Sequence, residues 1–187
     1  MVRQNLLFTE QEINLLRSWK GQRLVSIGCD KNPYSHLRLT AWFAAILQIE
    51  ATPFYLCNFT EPMDYYGAVD DVARMTLATR RDAIIDDKKD WWQTIHVNRT
   101  IQDIHLVQEH QELFENGEQT YDVYVTRGIL LDFWRLEISF EKAVWFSEDI
   151  DIAIGHDVLK TFAPIKDFEE DWEDGCVGKC SRELVQV

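Results

Sequence analysis

Proline and glycine are scarce, four and eight among 187 residues, and the chain holds no Gly/Ser linker, low-complexity tract or internal repeat that would mark a domain boundary. Cysteine is equally sparse: Cys29, Cys57, Cys176 and Cys180 are too few for a disulfide scaffold and are expected as reduced thiols. The Cys176-Val-Gly-Lys-Cys180 spacing is one residue too long for a zinc knuckle and lacks a second ligand pair nearby, so no metal site is expected. No stretch approaches the roughly 18 to 20 continuous apolar residues of a membrane span, and Met1 to Phe8 has no hydrophobic signal core. A cytoplasmic protein without a membrane partner is the expectation, which makes the acceptor-like Asn58-Phe-Thr60 and Asn98-Arg-Thr100 chance matches. Walker, Gly-x-Ser-x-Gly, His-Glu-x-x-His and Gly-x-Gly-x-x-Gly motifs are all missing, so neither a cofactor nor a catalytic residue is assigned.

Positive charge is also short. The 19 basic residues face 32 acidic ones, and the net charge of −13 is uneven: residues 1–60 carry +2 and residues 61–187 carry −15. A field of that sign repels phosphate backbones, which argues against nucleic acid, and speeds encounter with a basic protein. What the chain has in quantity is apolar surface. Hydrophobic residues make up 46%, with seven Trp and ten Phe, so it folds, and its length favours a single domain.

The densest structural signal is Tyr121 to Ile154, which reads as three successive strands. Tyr121, Val123 and Val125 alternate with polar residues until Gly128, where the first strand is expected to end. A second is expected from Ile129 through Phe140 with a bulge or bend near Trp134, and a third through Ile150, Ile152 and Ile154. Asn116-Gly117 predicts a hairpin into this region from a strand over Ile104 to Phe114.

At the other end, Thr9 and Glu12 form a capping box, with Phe8 and Ile13 placed as a hydrophobic staple; Ile13, Leu16 and Trp19 then make an apolar helical stripe ending near Gly21. Arg23 to Cys29 is strand-like and Asp30 to Pro33 a turn. Leu37 to Glu50 fits either period. Strands are preferred, because Ile46–Glu50 and Phe54–Phe59 flank Ala51-Thr-Pro53 as a hairpin would. Glu61 to Asp71 reads as a loop, Met75 and Leu77 as a strand, and Ile84 to Asp90, with Asp86-Asp87, as a polar excursion before Trp91-Trp92. After Ile154 come a Gly-His-Asp turn, the apolar Val158, Leu159 and Phe162, and then Asp167 to Asp174, where every residue except Phe168 and Trp172 is acidic. The expectation is an α+β fold: an N-terminal helix and a large, mostly antiparallel, curved sheet, open or partly closed, in one domain over 1–165, followed by an acidic C-terminal tail over 166–187.

His96, His105, His110 and His156, four of the five histidines, are scattered and read as structural. Adjacent acids such as Asp70-Asp71 point to opposite faces of a strand and rarely share a site. Acids mixed with aromatics stand out more: Tyr65, Tyr66, Asp70 and Asp71, and the run Phe168, Glu169, Glu170, Asp171 and Trp172. Aromatics are favoured at interface hot spots and acids around them select a basic partner, so these nine are the candidate partner-binding residues.

A small acidic α+β chain with no catalytic motif and with acid-aromatic runs such as Asp167–Asp174 resembles the immunity proteins of bacterial polymorphic-toxin systems. That resemblance implies binding and inhibition of a cognate toxin enzyme, often a nuclease, by occlusion of its basic substrate groove. The alternatives are a general regulatory interaction protein and a carboxylate-dependent hydrolase using Asp70, Asp71 and a nearby histidine.

Overall fold

The computed structural model describes residues 1–30, 39–79, 92–142 and 146–187. The turn expected over 31–33 and the polar excursion at 84–90, with Asp86-Asp87 and Trp91, lie outside the described residues.

The chain is mostly antiparallel β-structure, 66% strand against 12% helix, in two sheets that do not close into a barrel. This corrects the α+β expectation: helix α1 (Glu10–Trp19) is a single element on a β-framework, and the one large sheet is in fact two. The physical reason is the alternating apolar pattern, which runs through most of the described segments after α1 and wins over the helical period where both fit, as at Leu39–Ile49.

In chain order, β1 (Val2–Leu6) precedes α1, followed by β2 (Arg23–Asp30), β3 (Leu39–Trp42), β4 (Ala44–Ile49), β5 (Thr52–Tyr65), β6 (Ala68–Ala78) and β7 (Trp92–Thr100). Then come β8 (Asp103–Glu115), β9 (Glu118–Asp132), β10 (Glu137–Lys142), β11 (Asp149–Gly155), a 3-10 turn at Val158–Thr161, α2 (Ile165–Glu169) and β12 (Cys176–Gln186). The first sheet runs β12-β8-β9-β10-β11-β3, with β1 added parallel to β9 over Tyr121–Val125; the second runs β6-β5-β4-β2-β7. Buried residues of both sheets and α1, among them Leu16, Trp19, Ile27, Leu47, Leu56, Ile104, Ile129, Phe140 and Ile152, form one core.

Local signals explain much of this. Thr9 and Glu12 make the reciprocal capping box, and Gly21 follows α1 at φ 81°. Asn116 and Gly117 sit at φ 50° and 87° between paired Glu115 and Glu118, the two-residue turn that dipeptide favours. Leu37 to Glu50 resolves, from Leu39 on, into β3 and β4, with Phe43 at positive φ between them.

Three expectations are corrected. Residues 61–71 are a hairpin, not a loop: β5 and β6 pair from Tyr55↔Ala78 to Tyr65↔Ala68, with Tyr66 and Gly67 at positive φ as the turn. Pro62 is tolerated because β5 is paired with β4 only as far as Cys57, so β6 alone flanks it there. Gly128 does not end a strand. β9 continues to Asp132, and Gly128 is needed because a Cβ there would meet the Phe140 carbonyl and the Phe162 ring. The single strand expected over Ile129–Phe140 is two antiparallel strands, the end of β9 and β10, and the bend expected near Trp134 is the turn between them, with Trp134 at φ 73°; a separate bulge lies at Arg127, the extra β9 residue between the Val107↔Gly128 and Gln108↔Thr126 pairs.

The 166–187 segment, set apart by composition as an acidic tail, carries α2 and β12; β12 pairs with β8 from Cys176↔Glu115 to Gln186↔His105.

Candidate functional site

The β5–β6 hairpin, α2 and the inner face of the first sheet converge on one pocket of about 290 Å³. Its floor comes from alternate residues of β8 (Glu109, Gln111), bulged Arg127 of β9, and Cys180 and Arg182 of β12; its walls are Tyr65, Phe146, Phe168 and Trp172, with Asp167 and Asp171 also lining it.

Charged groups at core-facing positions need partners, since an unpaired buried charge is costly. Here they pair. Arg182 donates from Nε to Glu109 Oε1 at 3.0 Å, reinforced by its Nη2, and that Nη2 also donates to the Ala163 carbonyl at 2.7 Å. Glu109 Oε2 accepts from Gln111 Nε2 at 2.8 Å, and Gln111 Oε1 accepts from the Tyr66 hydroxyl at 3.2 Å. Behind them Arg127 donates from Nε and Nη2 to Glu141 Oε1 at 3.3 and 3.2 Å, and the Ala163 N–H donates to the same oxygen at 2.9 Å. Both buried pairs therefore hold the backbone of Ala163, which straps the approach to α2 onto the floor. Burial pushes the Glu141 carboxyl up against the opposing pull of Arg127, and it pushes fully buried Lys142 well below the usual lysine range.

Above the floor the aromatic rings form a continuous cluster. Tyr66 contacts Tyr65, Tyr121, Phe168 and Trp172 with centroids 4.9, 4.8, 5.8 and 4.8 Å away, and Phe146 stands edge-on to Tyr65 at 4.7 Å. Trp172 lies so close over Gly178 of β12 that a Cβ there would strike its ring. Its indole N–H is buried with no acceptor among the described residues. The Tyr121 hydroxyl donates to Asp64 Oδ1 at 2.8 Å, and the Gly67 N–H donates to the same oxygen at 2.9 Å, so Asp64 anchors the hairpin turn to β9. Burial raises the Tyr65 and Tyr66 phenols, with the nearby Asp171 charge adding to the rise at Tyr65, and carries Tyr121 to about 12 and the Cys180 thiol to about 12. These phenols are neutral hydrogen-bonding groups at pH 7, and burial keeps the Cys180 thiol protonated.

The structure thus brings together Tyr65, Tyr66, Phe168, Asp171 and Trp172, which lie up to about a hundred residues apart in sequence, and half-buries the four rings. Glu169 and Glu170 are exposed beside them, with Glu169 Oε1 also accepting from the Cys180 N–H at 3.3 Å. Asp70 and Asp71 are exposed on β6 outside the pocket, and among the described residues no histidine is hydrogen-bonded to either. Sequence reasoning missed the floor: Glu109, Gln111, Arg127 and Arg182, together with Glu141 behind it. The available signal was polar residues at inward positions of otherwise apolar strands, visible as Glu109 and Gln111 in register with Val125 and Val123.

A second hollow, of about 300 Å³, lies elsewhere on the first sheet and is lined by His105, Asp132, Glu137, Asp157, Lys160 and Leu184 among others. Its acids have structural tasks: Asp132 accepts from the Trp134 N–H, Glu137 from the Val158 N–H, and Asp157 pairs with Lys160 at 2.7 Å. Among the described residues no group of three His, Cys, Asp or Glu could hold a metal ion, and no helix is long and apolar enough to cross a membrane.

No protein family matches this chain, and no curated protein or solved structure was found to be similar to it.

Proposed function

We propose that this chain is an acidic protein-binding module whose partner is basic, and that the binding face is the region around α2 and the β5–β6 hairpin tip. The observation that carries the reading is the convergence of Tyr65, Tyr66, Phe168 and Trp172 into one ring cluster, bordered by exposed Glu169, Glu170, Asp171, Glu173 and Asp174. Half-buried aromatics held rigid by the body cost little entropy on binding, and the acids supply steering and select a positive partner. The finer reading is an immunity-type inhibitor that covers the basic substrate groove of a toxin enzyme, for which the acidic rim has the complementary sign.

The test is capture from cells that make the protein, with the native chain and an E169K/E170K variant compared side by side. The reading expects a stoichiometric basic partner that elutes with rising salt from the native chain and is retained poorly by the variant. A partner held equally by both would defeat it. For the toxin reading, the captured protein must also lose an enzymatic activity when the native chain is added.

The hydrolase alternative has less support. Asp70 and Asp71 face outward on a hairpin, and neither lines either hollow.

A further inference from the structure

We infer that the pocket beneath α2 receives one lysine or arginine side chain of the protein partner. This rests on the protein-binding reading above and adds the chemistry of its central contact. The pocket volume of about 290 Å³ is at the small end of ligand sites, which run from about 300 to 1,000 Å³. That suits a single side chain with attendant water.

The sign of the guest follows from how the charges are committed. Arg127 and Arg182 line the floor, but each faces a buried carboxylate, Glu141 and Glu109 respectively, so the floor is close to neutral. Asp167 and Asp171 also line the pocket, are exposed, and form no ion pair among the described residues. Glu169, Glu170, Glu173 and Asp174 add further negative charge nearby. An anionic guest would have to pass all of these, whereas a cation is drawn in.

The walls favour the same guest. Tyr65, Phe146, Phe168 and Trp172 present aromatic rings, whose faces attract ammonium and guanidinium groups and whose apolar surface accepts the methylene stem of a basic side chain.

Four capped amino acids serve as probes: N-acetyl-arginine amide, N-acetyl-lysine amide, the neutral N-acetyl-norleucine amide and N-acetyl-glutamate amide. Each is titrated into the 15N-labelled full chain and followed by amide shifts. The two basic probes should give saturable shifts centred on Gln111, Phe168, Asp171 and Cys180, and the norleucine and glutamate probes should not. D167N/D171N, two exposed isosteric changes that leave the spectrum folded, should weaken arginine-probe binding by about tenfold, the size expected for two surface charges near a cation. Equal binding of norleucine, preference for glutamate, shifts mapping elsewhere, or indifference to D167N/D171N would each overturn the inference. Failure here separates from failure of the parent reading. If E169K/E170K loses the captured basic partner while the probes leave the pocket unmoved, only the side-chain inference falls. If the probes bind but E169K/E170K captures as well as the native chain, the face assigned to the partner is wrong.

Discussion

The two hollows on the first sheet are nearly equal in size, about 290 and 300 Å³, and both are lined by several carboxylates, yet they are built differently. In the hollow beside the 3-10 turn, Asp132, Glu137 and Asp157 each bond a nearby backbone amide or lysine, so the acids hold turns. Beneath α2 the buried acids Glu109 and Glu141 are matched by arginines on the neighbouring strands, while Asp167 and Asp171 are exposed and form no ion pair among the described residues. The difference shows that acid density is a poor guide to a site. What a carboxylate is already bonded to decides whether it can meet a partner.

The sharpest way to break the comparison is to remove one acid from each hollow. Glu141→Ala should cost about 3 kcal/mol, because it removes the buried carboxylate opposite the Arg127 guanidinium and leaves the Ala163 N–H without its acceptor. Glu137→Ala should cost about 1 kcal/mol, the worth of one hydrogen bond to the Val158 amide. Denaturant melts at neutral pH measure both, and equal losses would show that the two hollows are energetically alike.

Trp172→Ala should cost about 2 kcal/mol, roughly half the loss for a fully buried tryptophan, since the ring is half-buried against Tyr66, Phe168 and Gly178. Because the indole also clamps α2 to β12, amide exchange should accelerate in α2 and stay unchanged beside the other hollow. Uniform exchange across the chain would mean that α2 is held by the strap at Ala163 alone. Thr9→Ala, remote from both hollows, should cost about 1 kcal/mol through the lost cap, and identical melts would remove the capping box from the account.

The smallest effect concerns pH. Burial pulls the Asp122 carboxyl upward, but hydrogen bonds from His110 and Arg3, at 2.7 Å each, outweigh it and hold the group below its ordinary value. The native state therefore binds fewer protons there. Its stabilising contribution is present above the unfolded value of about 3.9 and is lost as pH falls through the lower folded value. Glu141, whose carboxyl is raised by burial, has the opposite sign: its contribution is complete below the unfolded value of about 4.3 and is lost as pH rises through the raised folded value. Melts of Asp122→Asn against pH should show a flatter acid limb than the native chain; an unchanged limb would assign acid sensitivity to other carboxylates.

Legibility in the sequence followed the range of the interaction. The capping box at Thr9 and Glu12, the Asn116-Gly117 hairpin and the alternation of β9 and β11 depend on residues one to four positions apart, and all were readable. The acid-aromatic residues were visible as two separate runs, but their union was not. Tyr66 meets Phe168 and Trp172 only because β5–β6 and α2 both fold over the first sheet. β1 was missed for the same reason: its pairing with β9 spans 119 residues and leaves little local pattern. Expected breaks at Gly128 and over 61–71 failed because Gly and Pro end a strand only where no neighbouring strand continues the pairing: Gly128 stays paired to Val107 and Glu141, and Pro62 to Asp71 across the hairpin. Composition and short-range pattern thus determined a folded, acidic, strand-rich protein with a capped N-terminal helix. Only the tertiary structure decided where the two sheets divide, which charges are neutralised by partners far along the chain, and which acids stay exposed at the surface. The free energy of a buried charge is set by what stands opposite it, and that neighbour is chosen by the fold.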